Sequence, residues 1–364
     1  MVDKIEHSAN ENYNDYIKSF IKTKDTFYRK IPNMRGVKDF DFVDEGTKDN
    51  EFVNMLSGYS VKYCVRANVM LLRDLIREIK SNPNCSYQTC YTNKEIINDD
   101  IPEYFSVFMK EPDSLFAVEA DVFASRILNY FGLPVAYNRR IDKATRHYGT
   151  TKYVMSVDMI RKNEKLVLLS DIVPFKAHID IGKFYRNGLK DTLEFIGEYL
   201  KIYLEKEGIG YTEKDIEEYK KYIAMSVLER YMLMADTDFR NGNTGILIDT
   251  KNKSFRALPN FDMEKCFGTI ANESRFDDLK SFYELYPEDY DEFISKMFNL
   301  FKEPEKGESL DVKIARRSVR NESVANAMLF EMYNSAGEIW RETEKFKKRL
   351  VPNGNNEKAN EILA

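Results

Sequence analysis

The sequence predicts an α+β protein of two lobes. Residues 1–160 would form a small strand-rich N-lobe with a variable N-terminal extension, and residues 161–364 a mostly helical C-lobe. Three observations point there. Strand patterns with one long helix occupy the first part of the chain. Helical periodicity takes over from about residue 185, broken by a single hairpin. A length of 364 residues, 43% hydrophobic and 32% charged, suffices for a sizeable core and argues against global disorder.

Residues 1–60 are polar and weakly periodic. "SVKYCVRANVMLLRDLIREIK" (60–80) reads as a short strand running into a helix with Leu72, Leu75 and Ile79 on one face. Residues 82–95 are turn-rich. "YFSVFMK" (104–110) is a strand by its aromatic and β-branched content. "FAVEADVFASRILNYFG" (116–132) is a helix stopped by Gly132 and Pro134. The runs 152–160 and 165–173 read as two strands of a hairpin around "RKNE". Leu193, Ile196, Leu200 and Tyr203 mark a helix ended by Gly208. Thr212 and Asp215 form a capping-box pattern, after which Ile216, Tyr219, Ile223, Val227 and Tyr231 carry the next apolar face. Residues 244–249 and 254–262 read as a second hairpin. The remainder, including 322–350, reads as mostly helical.

Several function classes are disfavoured by composition. A net charge of −5, with 55 basic against 60 acidic residues, lacks the basic face that nucleic acid requires. No run approaches the ~18 apolar residues of a membrane span. No secretory leader is visible at the N-terminus, so a cytoplasmic protein is expected. Cys64, Cys85, Cys90 and Cys266 form no CxxC pair, and His7, His147 and His178 no ligand motif, so neither a disulfide framework nor a zinc site is expected.

The chemistry concentrates in "ADTDFRNGN" (235–243). Asn243 lies five positions after Asp238, and Asp262 lies 24 after it, at the end of the second hairpin. Phosphoryl transfer needs one carboxylate to orient or deprotonate the attacking hydroxyl. It also needs a carboxamide oxygen and a second carboxylate to hold magnesium against the phosphates. A loop leaving a helix, followed by a hairpin, can bring these together. Asp236 with Asn241 has the same spacing, but the strand directly after Asn243 favours the later pair. Upstream, Lys110 ends a strand where it could reach phosphates. Glu119, nine positions on, could fix it by an ion pair, in competition with Glu111 and Asp121. This is the residue order of the protein-kinase-like fold.

"TDFRNGNTGILID" with "ALPNFDMEKCFG" resembles the catalytic region of HipA-like bacterial serine/threonine kinases, and "SVFMK…EADVFASRILNYFGLPVAYN" resembles their lysine strand and glutamate helix. The resemblance covers roughly residues 100–270. It implies a serine/threonine kinase using ATP and Mg2+ on a protein substrate. Asp238 would be the base, Asn243 and Asp262 the metal ligands, Lys110 the phosphate lysine and Glu119 its partner. The segment 153–160, with Met155, Ser156, Val157 and Asp158, would receive adenine through backbone groups. Two departures stand out. Arg240 replaces a histidine frequent in the family, and no Gly-rich phosphate loop precedes Lys110, the nearest upstream glycine being Gly58. A small-alcohol kinase of the aminoglycoside or choline type, and a nucleotide-binding pseudokinase, fit the same residues. "KIARRSVR" (313–320) is a candidate surface for an acidic substrate.

Overall fold

The computed structural model describes residues 40–42, 61–82, 84–112, 114–145, 149–174, 177–181, 188–234, 236–267 and 281–301. The expected helix at 322–350 and the basic segment 313–320 lie outside them. Helix and strand are both plentiful. Strands β1 (Phe40–Phe42), β2 (Val61–Asn68), β4 (Tyr104–Glu111), β6 (Asn138–Thr145) and β7 (Gly149–Val157) build a five-stranded antiparallel sheet in the order β1-β2-β4-β7-β6. A three-stranded sheet holds β8 (Glu164–Leu168), β9 (Gly245–Asp249) and β10 (Ser254–Ala257), with β9 central. The short β3 (Tyr87–Gln88) and β5 (Val135–Ala136) pair in parallel.

Helix α1 (Arg73–Ser81) follows β2 through a 3-10 turn, Val69–Leu72, and α2 (Asn93–Ile97) opens with a Thr92/Glu95 capping box. Helix α3 (Leu115–Phe131) is capped by the Ser114 side chain and closed by Gly132 at φ +98°, a left-handed cap that glycine adopts without steric cost. Beyond β8 come the single turn α4 (Leu169–Ile172), α5 (Leu189–Glu207), α6 (Glu213–Ser226) and α7 (Pro287–Phe301). A continuous apolar core runs from Phe105, Val107 and Met109 of β4 through Ile127 and Leu128 of α3 to Ile196, Leu200 and Ile223 of α5 and α6.

Two expectations need correction. Residues 152–160 and 165–173 do not form a hairpin with each other. Both edges of β7 are already taken, by β4 and by β6, so 164–168 crosses into the other sheet and pairs with β9. Residues 169–172 then turn as helix. The apolar helix expected to reach Tyr231 also changes its winding. Val227–Leu233 is a π segment, with Met234 N–H donating to Glu229 C=O, five residues back. Such segments concentrate at functional sites.

The β8–β9 junction leaves no room for a side chain at Gly245. A Cβ there would lie 2.1 Å from Val167 C=O and 2.8 Å from Leu168 Cα. Gly245→Ala should therefore push the two strands apart and cost about 1–3 kcal/mol. Chemical denaturation measures this directly; an unchanged midpoint would mean that the strands do not pack as described.

Candidate active site

The turn after the π segment carries the residues with catalytic chemistry. The Asp238 N–H donates to Asp236 Oδ1 at 3.0 Å, and the tight turn Asn241–Asn243 folds back on it. Asn243 Nδ2 then donates to the Asp238 carbonyl at 2.8 Å and to Asp238 Oδ2 at 3.0 Å. This uses the nitrogen end of the amide and keeps its oxygen for an acceptor role, which suits a hard cation. Asp238 remains part-exposed, and Arg240 Nε sits 3.1 Å from its Oδ1.

The rival pair is spent on structure. Asn241 accepts from Ile181 N–H at 3.0 Å and donates to Ile179 C=O at 2.7 Å, stapling the loop to the segment 177–181. Asp236 has no exposed surface. It receives Nε and Nη2 of Arg230 at 2.9 and 2.5 Å. Burial pushes the Asp236 carboxyl up and the guanidinium pulls it back; burial likewise disfavours the Arg230 cation, which Asp236 more than restores. Both donors converge on Asp236 Oδ2, while Oδ1 accepts from the Asp238 N–H, so the carboxylate links the arginine to the Asp238 turn.

Arg230 is the hub. Besides Asp236 it donates through Nη1 to Asn260 Oδ1 at 3.4 Å and through Nη2 to the Asp262 carbonyl at 3.3 Å, and it lies over the Phe239 ring at 4.7 Å. One buried side chain therefore ties the Asp238 turn to the Asp262 segment. Asn260 extends the tie: its backbone bonds Pro134 and Ala136, beyond α3.

Lys110 and Asp262, 152 residues apart, meet at 2.7 Å. The lysine's second partner is Asp121 Oδ2 at 2.6 Å, not Glu119 as expected. Helix geometry gives the reason. Two residues rotate about 200° around the axis, so Glu119 and Asp121 face nearly opposite ways. Glu119 pairs with Arg140 on β6, while Asp121 is wholly buried beneath Lys110. Burial opposes the lysine's charge, but Asp121, Asp262 and Glu264 outweigh it and hold the pKa above the usual value. Lys110 thus stays cationic between its two carboxylate partners. Asp262 itself sits at φ +56°, a left-handed position uncommon for a non-glycine residue.

The expected adenine-binding stretch spans the end of β7 and the chain that leaves it. Met155, Ser156 and Val157 lie inside β7 between two partner strands, so their backbone groups belong to the sheet. Backbone that leaves the sheet begins at Asp158. Its N–H still bonds Ser106 C=O, and its buried carboxylate accepts from Ile160 N–H at 3.0 Å. Arg161 N–H likewise donates to Glu164 Oε2 at 2.8 Å, and Met159 C=O accepts from Arg256 Nη2 at 2.8 Å.

Among the described residues, no group of three or more His, Cys, Asp or Glu side chains is placed to hold a metal unaided, and no helix is long and apolar enough to cross a membrane. Asn243 and Asp262 offer two hard oxygen ligands. That suits magnesium, which keeps several waters and completes its shell with substrate phosphates.

No protein-family model and no curated protein matches the chain. Among solved structures, it is similar to a Helicobacter pylori proinflammatory kinase, CtkA, at 13% identity and a TM-score of 0.36, over 64% of this chain and 89% of that one. A likeness this distant leaves the functional argument to the residues themselves.

Two outcomes follow from the buried charges. Arg230→Met alone should cost about 3–5 kcal/mol, because Asp236 is left buried and unpaired. Adding Asp236→Leu should recover most of that stability in a denaturant titration. Glu229, beside Arg230, is fully buried and neither carboxyl oxygen has a hydrogen-bond partner among the described residues. Burial raises its pKa well above the ordinary carboxylate value, Lys296 opposing and Glu292 reinforcing. The folded state thus holds this proton more tightly than the unfolded one. Stability from it is fully present below the ordinary carboxylate pKa and lost as pH rises towards the folded value. Glu229→Gln should match wild type in acid and exceed it increasingly through neutral pH in thermal melts; parallel curves would refute this.

Proposed function

We propose that this protein is a magnesium- and ATP-dependent phosphotransferase with a kinase-like two-lobed arrangement, acting on a serine or threonine hydroxyl of another protein. The observation that carries the reading is one convergence. Asp238 and Asn243 touch each other, Lys110 and Asp262 touch each other, and Arg230 bonds both the turn holding the first pair and the segment holding the second.

In this reading Lys110 grips the nucleotide phosphates and Asp121 keeps it charged and oriented. Asn243 and Asp262 would hold magnesium, which when bound offsets charge on the phosphate oxygens. Asp238 aligns the acceptor hydroxyl and takes its proton as the new O–P bond forms and the bond to the ADP leaving group breaks. Arg240 Nε, 3.1 Å from Asp238 Oδ1, pairs with that carboxylate. The adenine would dock at the end of the segment 153–160, where the chain leaves β7. The acceptor is a protein hydroxyl on the strength of the HipA-like sequence resemblance, and the chemistry at Asp238 serves any hydroxyl that the cleft admits.

Mg-ATP at one hundred times its dissociation constant should stabilise the fold by about 2.7 kcal/mol; an unchanged melting temperature would remove the nucleotide from the proposal. Asp238→Asn should lower turnover by about 10²–10⁴-fold with nucleotide binding retained. Asp236→Asn should act through stability instead, its activity loss tracking the melting temperature. Mass spectrometry after incubation with labelled ATP, a cell lysate and, separately, small amino alcohols identifies the acceptor. Phosphoserine or phosphothreonine supports the protein kinase, and phosphorylation of the alcohol alone would reassign the enzyme.

A further inference from the structure

Asn138, the first residue of β6, has no exposed surface, and its backbone N–H is held by Ser125 Oγ of α3 at 3.3 Å. Its Nδ2 makes two bonds, both to Asp121: 2.7 Å to Oδ1 and 3.3 Å to the carbonyl. Its own Oδ1 is buried without a hydrogen-bond partner among the described residues. Turning the amide over would set its oxygen against two Asp121 oxygens, so the orientation is dictated by Asp121. A buried carbonyl oxygen left without a donor costs stability. An asparagine kept there at that cost points away from a purely structural role.

What the two bonds achieve is visible at the other end of Asp121. The same Oδ1 that receives Asn138 also accepts from the N–H of Met263 at 3.2 Å, while Oδ2 binds Lys110. Lys110 in turn binds Asp262, the residue before Met263. The four groups close a ring around the left-handed backbone of Asp262. Asn138 fixes the rotation of the Asp121 carboxylate so that one oxygen meets the lysine and the other the Met263 amide.

We propose that Asn138 is a positioning residue that sets the metal-ligating pose of Asp262 through Asp121 and Met263. This rests on the reading of Asp262 as a magnesium ligand and goes beyond it. Asn138 touches neither nucleotide nor metal. Its removal should weaken magnesium binding without weakening the fold, a split that a structural asparagine would not produce.

The test uses the full chain as wild type, Asn138→Leu and Asn138→Ala. Leucine has nearly the same volume and removes both the donors and the orphaned oxygen. Each protein is titrated with Mg2+ at a fixed concentration of a non-hydrolysable ATP analogue, and melted separately without ligand. The half-saturating Mg2+ concentration should rise about tenfold in both variants, the lower end of what loss of an outer-shell contact does at metal sites. The melting temperature of Asn138→Leu should not fall below that of wild type. An unchanged Mg2+ midpoint overturns the proposal. So does a fall in melting temperature in both variants that parallels the loss of binding, or failure of both to fold, since either makes Asn138 structural. If wild type itself shows no Mg2+-dependent nucleotide binding, the phosphotransferase reading falls, and this inference with it.

Discussion

Arg230 has no exposed surface, yet it bonds two separate stretches of chain: the Asp236 turn, and the segment carrying Asn260 and the carbonyl of Asp262. Taking a guanidinium and a carboxylate out of water is expensive, and a pair of apolar side chains would fill the same space at less cost. The return is geometric. A planar fork with five donors can satisfy several acceptors at fixed angles, which no apolar group can do. Here the acceptors belong to the turn carrying Asp238 and the segment carrying Asp262, so their separation is set by the dimensions of one side chain. The π segment that holds Arg230 contributes as well. Its wider turn lets Met234 N–H reach Glu229 C=O and Asp236 N–H reach Arg230 C=O, where the chain leaves the helix.

A second polar cluster extends this arrangement to the five-stranded sheet. Lys110 stands between two carboxylates, Asp121 from α3 and Asp262 from the segment after β10. An anionic ligand arriving at the lysine therefore meets a cation already shared, and any group that draws Asp262 away leaves Asp121 to maintain the charge. Asp262 holds a backbone conformation with a steric cost, which persists because Lys110 and the Met263 N–H bond to Asp121 fix both ends of the residue. At Asp262 a left-handed backbone and a buried polar network coincide. That is where consistency between local preference and global fold is expected to fail for functional reasons.

Much of the fold was legible in the chain. Residues 104–110 and 116–132 carry their element types in their periodicity and end signals, and the Thr212/Asp215 box and the hairpin of 244–249 with 254–262 were equally readable, although its second strand ends at Ala257 and leaves Asp262 beyond the sheet. The misreadings share a cause. Residues 152–160 and 165–173 have strand composition, but composition says nothing about which edge a strand will find, and β7 had no edge to offer. β6 passed unread because "NRRIDKAT" is too polar to announce itself, and it is a strand because β7 pairs with it. Between Glu119 and its competitor Asp121, the sequence holds a reason to favour the latter as the lysine's partner. Asp121 is an acid on a helix face otherwise built of Ala117, Val118, Ala124 and Ser125, all buried, and a lone carboxylate there needs a cation.

The sequence by itself determined which residue types were available and in what order: a lysine ending a strand, acids in the following helix, an Asp-Asn loop after a helix, and an aspartate after a hairpin. Those are local facts, set by side-chain chemistry and by periods of two and 3.6 residues. Only the tertiary structure decided which acid meets the lysine, which aspartate stays accessible and which is consumed by Arg230, and that Asn138 and the Met263 N–H meet on one oxygen of Asp121. Each of those choices depends on burial and on angles between elements distant in the chain. Burial makes one of two neighbouring carboxylates structural and leaves the other accessible to solvent, and no spacing rule along the sequence carries that information.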